Sequence, residues 1–554
     1  LARARLGISW GLNMGTITFN PDDLAATRTA LGLTIGTDVL APNGSGSNLT
    51  GLPASGGTID LTASGAVTAG KTLILNSDGT VSQISATSIS EIIGSSYTPS
   101  GETAGEGGFV DYNTTADVFM FVNRSTISGS NICRASVLSL NSSMAITETE
   151  APITCGGSGA CYSVRYSAVH DRLLAHYQNG SPYYPSVNTV SYSVSNGLDV
   201  DAVSNLHGAN LPYGSSIFIG TDDNTIASLY YTPTSVSTGY VRFGGLTTGS
   251  DASLDSYASD GEADAGISTS GETYRYYDTP IWFPDEARLI LLTHGYHSST
   301  DYRVRLGYGS VTGSGGSASY SEIGEDNWQD SDRFDYAGHV RYNSDLKRAI
   351  WFDGKHLRSL SMNGGYNKSS LFELQSSYPS IDGWCLVGIP GTDKIVCFGG
   401  DAADSNKLSY WLVTVTTGTN AASDSFTKDS GPNQISTDVP YYNLTAAYSP
   451  DVDGFLVRVP LDAAASKTYG VRVARSTTNV TSSNFVGFAS NSVSDGGTVT
   501  VQLPGAIATP TQGSLTVGTK YYVKNDGTIG TSDDGYGIAG RAASSTKLIV
   551  EERA

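Results

Sequence analysis

Charge is scarce in this chain: 15% of its 554 residues are Asp, Glu, Lys or Arg, against a usual quarter. That scarcity argues against long helices rich in Glu and Lys. Basic residues are the rarer sign, 32 against 52 acidic, for a formal net charge of −20. Such a surface repels phosphate backbones and excludes nucleic acid as the main partner. Long apolar runs are also missing. Nothing approaches the roughly 18 residues that span a bilayer, so no membrane insertion is expected. The opening Leu1-Ala-Arg-Ala-Arg-Leu-Gly-Ile-Ser-Trp10 has basic residues without an apolar stretch, so it does not read as a secretory signal. Met14 reads as a natural start, with 1–13 as an extension. Five cysteines are too few for a disulfide scaffold, and the odd count leaves one unpaired. Cys155 and Cys161 bracket a glycine-rich loop, and Cys385 and Cys397 lie on two runs of one apparent hairpin. Either pair is placed to touch, buried thiols are the expectation, and the spacing fits no zinc site.

What the chain does have is glycine (65), tyrosine (32) and phenylalanine (15). Abundant glycine with little charge predicts many short strands joined by tight turns. Residues 1–54 read as an extended oligomerisation segment, because their few apolar residues bury nothing without identical neighbours. Further on, one pattern recurs: an aromatic or aliphatic anchor, an Asx-rich turn, then a run of apolar residues. Tyr112-Asn-Thr-Thr-Ala-Asp117, Tyr166-Ser-Ala-Val-His-Asp171, Trp282-Phe-Pro-Asp-Glu-Ala-Arg288, Tyr342-Asn-Ser-Asp-Leu-Lys-Arg348 and Tyr448-Ser-Pro-Asp-Val-Asp453 carry it. Weaker copies are anchored at Ile219 and Gly388, and the seven anchors are separated by 46 to 63 residues. A hairpin plus two further strands per copy is the arithmetic of propeller blades. The expectation is an all-β chain with a seven-bladed β-propeller over 99–483, give or take one blade. The anchor tyrosines and Asp-Arg turns are expected to be structural.

A second repeat flanks that block. Gly65-Ala-Val-Thr68-Ala-Gly70 through Asp78-Gly79-Thr80 matches Gly513-Ser-Leu-Thr516-Val-Gly518 through Asp526-Gly527-Thr528, at a constant offset of 448. Asp-Gly between two β-favouring runs is a hairpin signal. Residues 55–98 and 484–554 are therefore expected to be two related small β-modules, with the propeller inserted between them.

Chemistry-bearing motifs are thin. Gly65 to Thr72 satisfies the letter of a phosphate-binding loop, but Thr72-Leu-Ile-Leu75 runs into a turn instead of starting the helix that mechanism needs. Gly7-Ile-Ser9-Trp-Gly11 fits a serine nucleophile elbow with no strand before it. His294 and His297 form the nearest histidine couple and read as loop residues. The carboxylates at Asp326–Asp332 and Asp451–Asp453 lack calcium-loop spacing. No catalytic residue, metal or other cofactor is assigned, and calcium is unsupported. Aromatics set between expected strands are the candidate glycan-binding residues: Tyr183, Tyr184, Tyr276, Tyr277 and Trp328. Flat rings beside carboxylates and amides suit sugars, which present C–H faces and hydroxyl edges together.

The two ends resemble bacteriophage tail fibre proteins. Thr27-Arg-Thr-Ala-Leu31-Gly-Leu followed by Gly36 to Leu52 is similar to the connector of such fibres. Phe485-Val-Gly-Phe-Ala489, Ser494-Asp-Gly, Leu515 to Val523 and Gly540 to Ile549 resemble a module recurring near fibre ends. Together these pieces cover about 150 residues, and the centre matches no known family. The resemblance implies a parallel homotrimer that is assembled in the host cytoplasm and exposed on the virion. Its N-terminus would join other tail or baseplate proteins, and its distal domains would meet bacterial surface polysaccharide or lipopolysaccharide. No catalytic residues carry over. The leading expectation is a non-enzymatic receptor-binding fibre. The alternatives are a glycan-degrading tail enzyme, whose paired carboxylates would sit at the propeller channel, and a purely structural tail component.

Overall fold

The structure is a computed structural model. It describes residues 57–551 except 101–107, 128–129, 157–160, 180–183, 206–213, 220–224, 232–238, 246–261, 265–274, 278–279, 299–300, 315–317, 330–338, 380–382, 442–443, 462–465, 482, 513 and 534. The expected attachment segment 1–54 lies outside the described residues. The chain is all-β: among those residues the only helical element recorded is one 3-10 turn, Ala421–Ser423. It divides into two compact units, Ser90–Ala474 on one hand and Leu1–Ile89 with Arg475–Ala554 on the other.

The larger unit holds seven antiparallel sheets among the described residues, taken here as sheets I to VII in chain order. The first strands of their repeat hairpins are Phe109–Asn113, Cys161–Ser167, Gly214–Ile219, Ile281–Phe283, His339–Asn343, Trp384–Gly388 and Thr445–Ser449. In six of these hairpins the turn lies within the described residues, and it is the repeat found in the sequence. In five of them the residue five places after the anchor adopts left-handed backbone: Asp117 (φ 54°), Asp171 (φ 51°), Ala287 (φ 50°), Lys347 (φ 52°) and Asp453 (φ 52°). Asp tolerates that region because its short side chain bonds locally. Here the carboxylate instead accepts the hydroxyl proton of its own anchor, from Tyr112 to Asp117 (3.1 Å), Tyr166 to Asp171 (2.7 Å) and Tyr448 to Asp453 (2.6 Å).

The strand at Lys394–Asp401 shows how the sheets stack. Ile395 and Cys397 pack into a core shared with sheet V, while Val396 and Phe398 pack into a core shared with sheet VII. Both faces are buried, and the strand Gly454–Pro460 is likewise buried at every residue, Arg458 included. First strands neighbour one another in order from I to VII, and that of VII lies against that of I. A core of Val110, Phe119, Phe121, Ala447 and Leu456 joins sheets I and VII. Sheet VII takes its fourth strand from Ile92–Ile93, paired with Val471 and Arg472. That pairing keeps residues 90–98 with the large unit, so the division falls earlier than the 98/99 boundary expected from the sequence.

The cysteines pair otherwise than expected. Cys133 of sheet I is bonded to Cys161 of sheet II, Cα atoms 6.1 Å apart, and Cys155 lies free with its Sγ 3.4 Å from that of Cys133. Cys385 and Cys397 share a hairpin but face opposite cores, so they do not meet. Alternation along adjacent strands separates them: Cys397 stands opposite Leu386, one residue from Cys385.

The smaller unit contains the twin modules. Thr72–Leu75 pairs with Val81–Gln83, and Lys520–Val523 pairs with Ile529–Gly530. Both turns close alike. Thr80 gives its amide and hydroxyl to Asp78 Oδ1 at 2.9 and 2.7 Å; Thr528 does the same to Asp526 at 2.9 and 2.6 Å. Gly79 (φ 83°) and Gly527 (φ 78°) take the left-handed position. Thr72 begins a strand, so no helix start faces a phosphate here. Where the chain passes to and from the large unit, Ala86–Ile89 and Arg475–Thr478 run antiparallel to each other.

Candidate functional site

The repeat anchors converge on a cavity of about 260 Å³ in the large unit. Four of the seven, Tyr112, Tyr342, Gly388 and Tyr448, line it, contributed by sheets I, V, VI and VII. These positions are distant in sequence and meet because every anchor occupies the same place near the end of its sheet's first strand.

Two pairs of neighbouring copies are hydrogen-bonded through the residue after the anchor. Asn113 donates from Nδ2 to Asp171 Oδ1 (3.2 Å), while its Oδ1 caps the turn by accepting the amides of Thr115 and Ala116. Ser449 donates to the Tyr112 hydroxyl (3.2 Å), joining sheet VII to sheet I. Asn343 Oδ1 caps its own turn at Leu346 (3.1 Å), and its Nδ2 fills the space beside Gly388. A Cβ at 388 would stand 2.5 Å from that nitrogen, so a larger residue here would displace the Asn343 amide.

Burial pushes the phenols of Tyr112 and Tyr342 up to about 12, with nearby carboxylates reinforcing the effect. Both remain protonated donors at neutral pH. Tyr342 packs edge-on against Phe283, with ring centroids 5.1 Å apart. Two carboxylates and one guanidinium complete the polar lining: Asp111, Asp345 and Arg341. The walls thus combine aromatic rings with fixed donors and acceptors, the composition of a small-molecule or saccharide subsite. At 260 Å³ the space lies just below the roughly 300–1,000 Å³ of drug-sized sites.

Five aromatics were singled out from the sequence. Tyr183 falls outside the described residues. The other four stand within strands, not between them: Tyr184 opposite Asn179, Tyr276 opposite His294, Tyr277 opposite Thr293, and Trp328 opposite Val304. The lining tyrosines were visible in the sequence as anchors, but the same regularity marked them as structural. Among the described residues no group of three or more His, Cys, Asp or Glu is placed to hold a metal ion.

No family model matches the chain, and no curated protein does. Solved structures similar to it include Sqt1 from Chaetomium thermophilum, at 10% identity over 71% of this chain and 100% of that one, TM-score 0.37. Semaphorin 1b from Drosophila, extracellular domains 1–2, is similar at 9% identity over 70% and 87%, TM-score 0.35. The NanB sialidase of Streptococcus pneumoniae is similar at 10% over 68% and 70%, TM-score 0.33.

Proposed function

We propose that the chain is a surface-recognition protein whose seven sheets form a seven-bladed β-propeller, and that the anchor-lined cavity is its saccharide-binding site. The neighbouring of the first strands, the core between sheets VII and I, and the strand lent by Ile92–Ile93 support the propeller. The observation that carries the binding reading is the cavity itself. It sets Tyr342 and Tyr448 beside Asp345, Asn343 and Arg341 on turns cross-linked from sheet to sheet. Preorganised aromatic and polar groups lower the ordering cost of binding. The fibre-like segments at both ends place this module, on our reading, in a homotrimeric phage tail fibre that adheres to bacterial surface glycan.

The test is binding of the full chain to an array of bacterial polysaccharides, with its mass in solution measured alongside. A trimer that retains a glycan, with loss of at least tenfold in affinity for Tyr448→Ala and Tyr342→Ala, is the expected result. Retention unchanged in both variants refutes the cavity as the site. A monomer refutes the fibre. Shortening of the retained polymer on incubation points to a depolymerase instead.

A further inference from the structure

The ionic groups of the cavity differ in one respect. Asp111 is committed to the main chain: its Oδ1 accepts the Tyr112 amide (3.0 Å) and its Oδ2 the Tyr166 amide (2.9 Å). Asp345 Oδ2 accepts the Gly391 amide (2.8 Å). The guanidinium of Arg341, half-buried on the strand His339–Asn343, has no hydrogen bond or ion pair among the described residues. Other arginines of these sheets are occupied, Arg348 by Asp424 and Arg472 by the carbonyls of Val452 and Asp453.

Position in the repeat gives this difference a use. Arg341 stands immediately before its anchor, and the equivalent residues of the other copies are Asp111, Arg165, Phe218, Ile281, Val387 and Ala447. Tyrosine is the anchor in four of the seven copies, whereas the residue before the anchor is of six different types. A repeat protein places selectivity at such a variable position.

We infer that Arg341 selects an acidic saccharide, receiving an anionic group of the sugar, while the surrounding tyrosines meet its ring. This rests on the cavity being a saccharide site. A planar guanidinium with free donors matches a carboxylate or phosphate in two-point geometry, and a half-buried position weakens screening by solvent. The net charge of −20 opposes general attraction of polyanions, so recognition falls to a single matched charge in a shaped site.

The experiment measures binding of the full chain to polygalacturonate, alginate, hyaluronan and polysialic acid, each beside its carboxyl-reduced neutral form. A phosphorylated mannan and its dephosphorylated form serve as the second anion source. The expected result is at least about tenfold tighter binding of one anionic form than of its neutral partner. Arg341→Gln removes that difference and Arg341→Lys keeps part of it. Which pair discriminates tells carboxylate from phosphate. Equal retention of acidic and neutral forms overturns the inference and leaves the saccharide reading standing. Discrimination that survives in Arg341→Gln overturns it as well. Retention of no polymer in either form refutes the saccharide reading, and this inference with it.

Discussion

Replacing Asp424 by Ala tests how sheet V is fastened to the segment Gly418–Asp424 of sheet VI. The Asp424 side chain is fully buried and that of Arg348 is 6% exposed. Arg348 Nε lies 2.7 Å from Asp424 Oδ2 and Nη2 lies 3.3 Å from Oδ1. Ser359 Oγ donates to Oδ2 at 2.8 Å, and the Gly418 amide donates to Oδ1 at 2.8 Å. The carboxylate thus accepts four hydrogen bonds, and its loss strands a buried guanidinium whose remaining contacts are the carbonyls of Lys347 and Gly418. Removing one partner of a buried pair costs about 3–5 kcal/mol. Arg348→Met with Asp424→Leu together remove both charges and leave only neutral groups, the Gly418 amide, the Ser359 hydroxyl and the carbonyls of Lys347 and Gly418, to find other partners, so the double variant loses less than Asp424→Ala alone. The assay is urea unfolding followed by tryptophan fluorescence, since Trp351 and Trp411 are fully buried in sheets V and VI. A loss below about 1 kcal/mol for Asp424→Ala, or a double variant whose loss equals the sum of the singles, refutes the reasoning.

Two further predictions concern stability. Burial holds the imidazole of His176 down to about 3, whereas in the unfolded chain it takes a proton near 6.5. Between those values the unfolded state binds more protons, so this contribution to stability is lost as pH falls below about 6.5, by at most about 1.4 kcal/mol per pH unit. Lowering pH from 7 to 5 therefore costs about 2 kcal/mol through this residue, seen as a smaller shift in urea midpoint for His176→Asn; equal shifts in both proteins disprove it. At Ala287 (φ 50°) a Cβ in left-handed backbone costs about 1–2 kcal/mol, and glycine forfeits part of that gain to unfolded-state entropy. Ala287→Gly is expected to raise the thermal midpoint slightly, and a lowered midpoint contradicts the strain assigned to this turn.

The features legible in the sequence were those made by local bonds. Tyr448 reaches Asp453 five residues on, and Thr80 reaches Asp78 two residues back, so spacing alone exposes such units. The all-β class followed from the same hairpins. What stayed hidden depends on long-range pairing. Ile92–Ile93 is two residues long, too short for any periodicity, yet it completes a sheet whose other strands begin at Thr445. Cys133 and Cys161 meet across two sheets, and no spacing rule joins them. The cavity was hidden for a different reason. Its tyrosines looked structural because they are, bracing turns with their hydroxyls or edges while their remaining surface faces the space between sheets. Tyr276, Tyr277 and Trp328 drew attention because glycine and charge around them blurred the alternation of their strands.

The strand at Ile92–Ile93 also sets a timetable. Its partners, Val471 and Arg472, are synthesised about 380 residues later, a wait of roughly 20–75 s at 5–20 residues per second. Closing a loop of that length costs about 5 kcal/mol of chain entropy, which two paired residues alone do not recover. While the intervening chain is unfolded, the short-turn hairpins of sheet VII are therefore favoured over this pairing. Arg475–Thr478, which pairs with Ala86–Ile89, is made later still. A chain interrupted anywhere before residue 470 leaves both early strands without partners, exposing edges that invite degradation or aggregation.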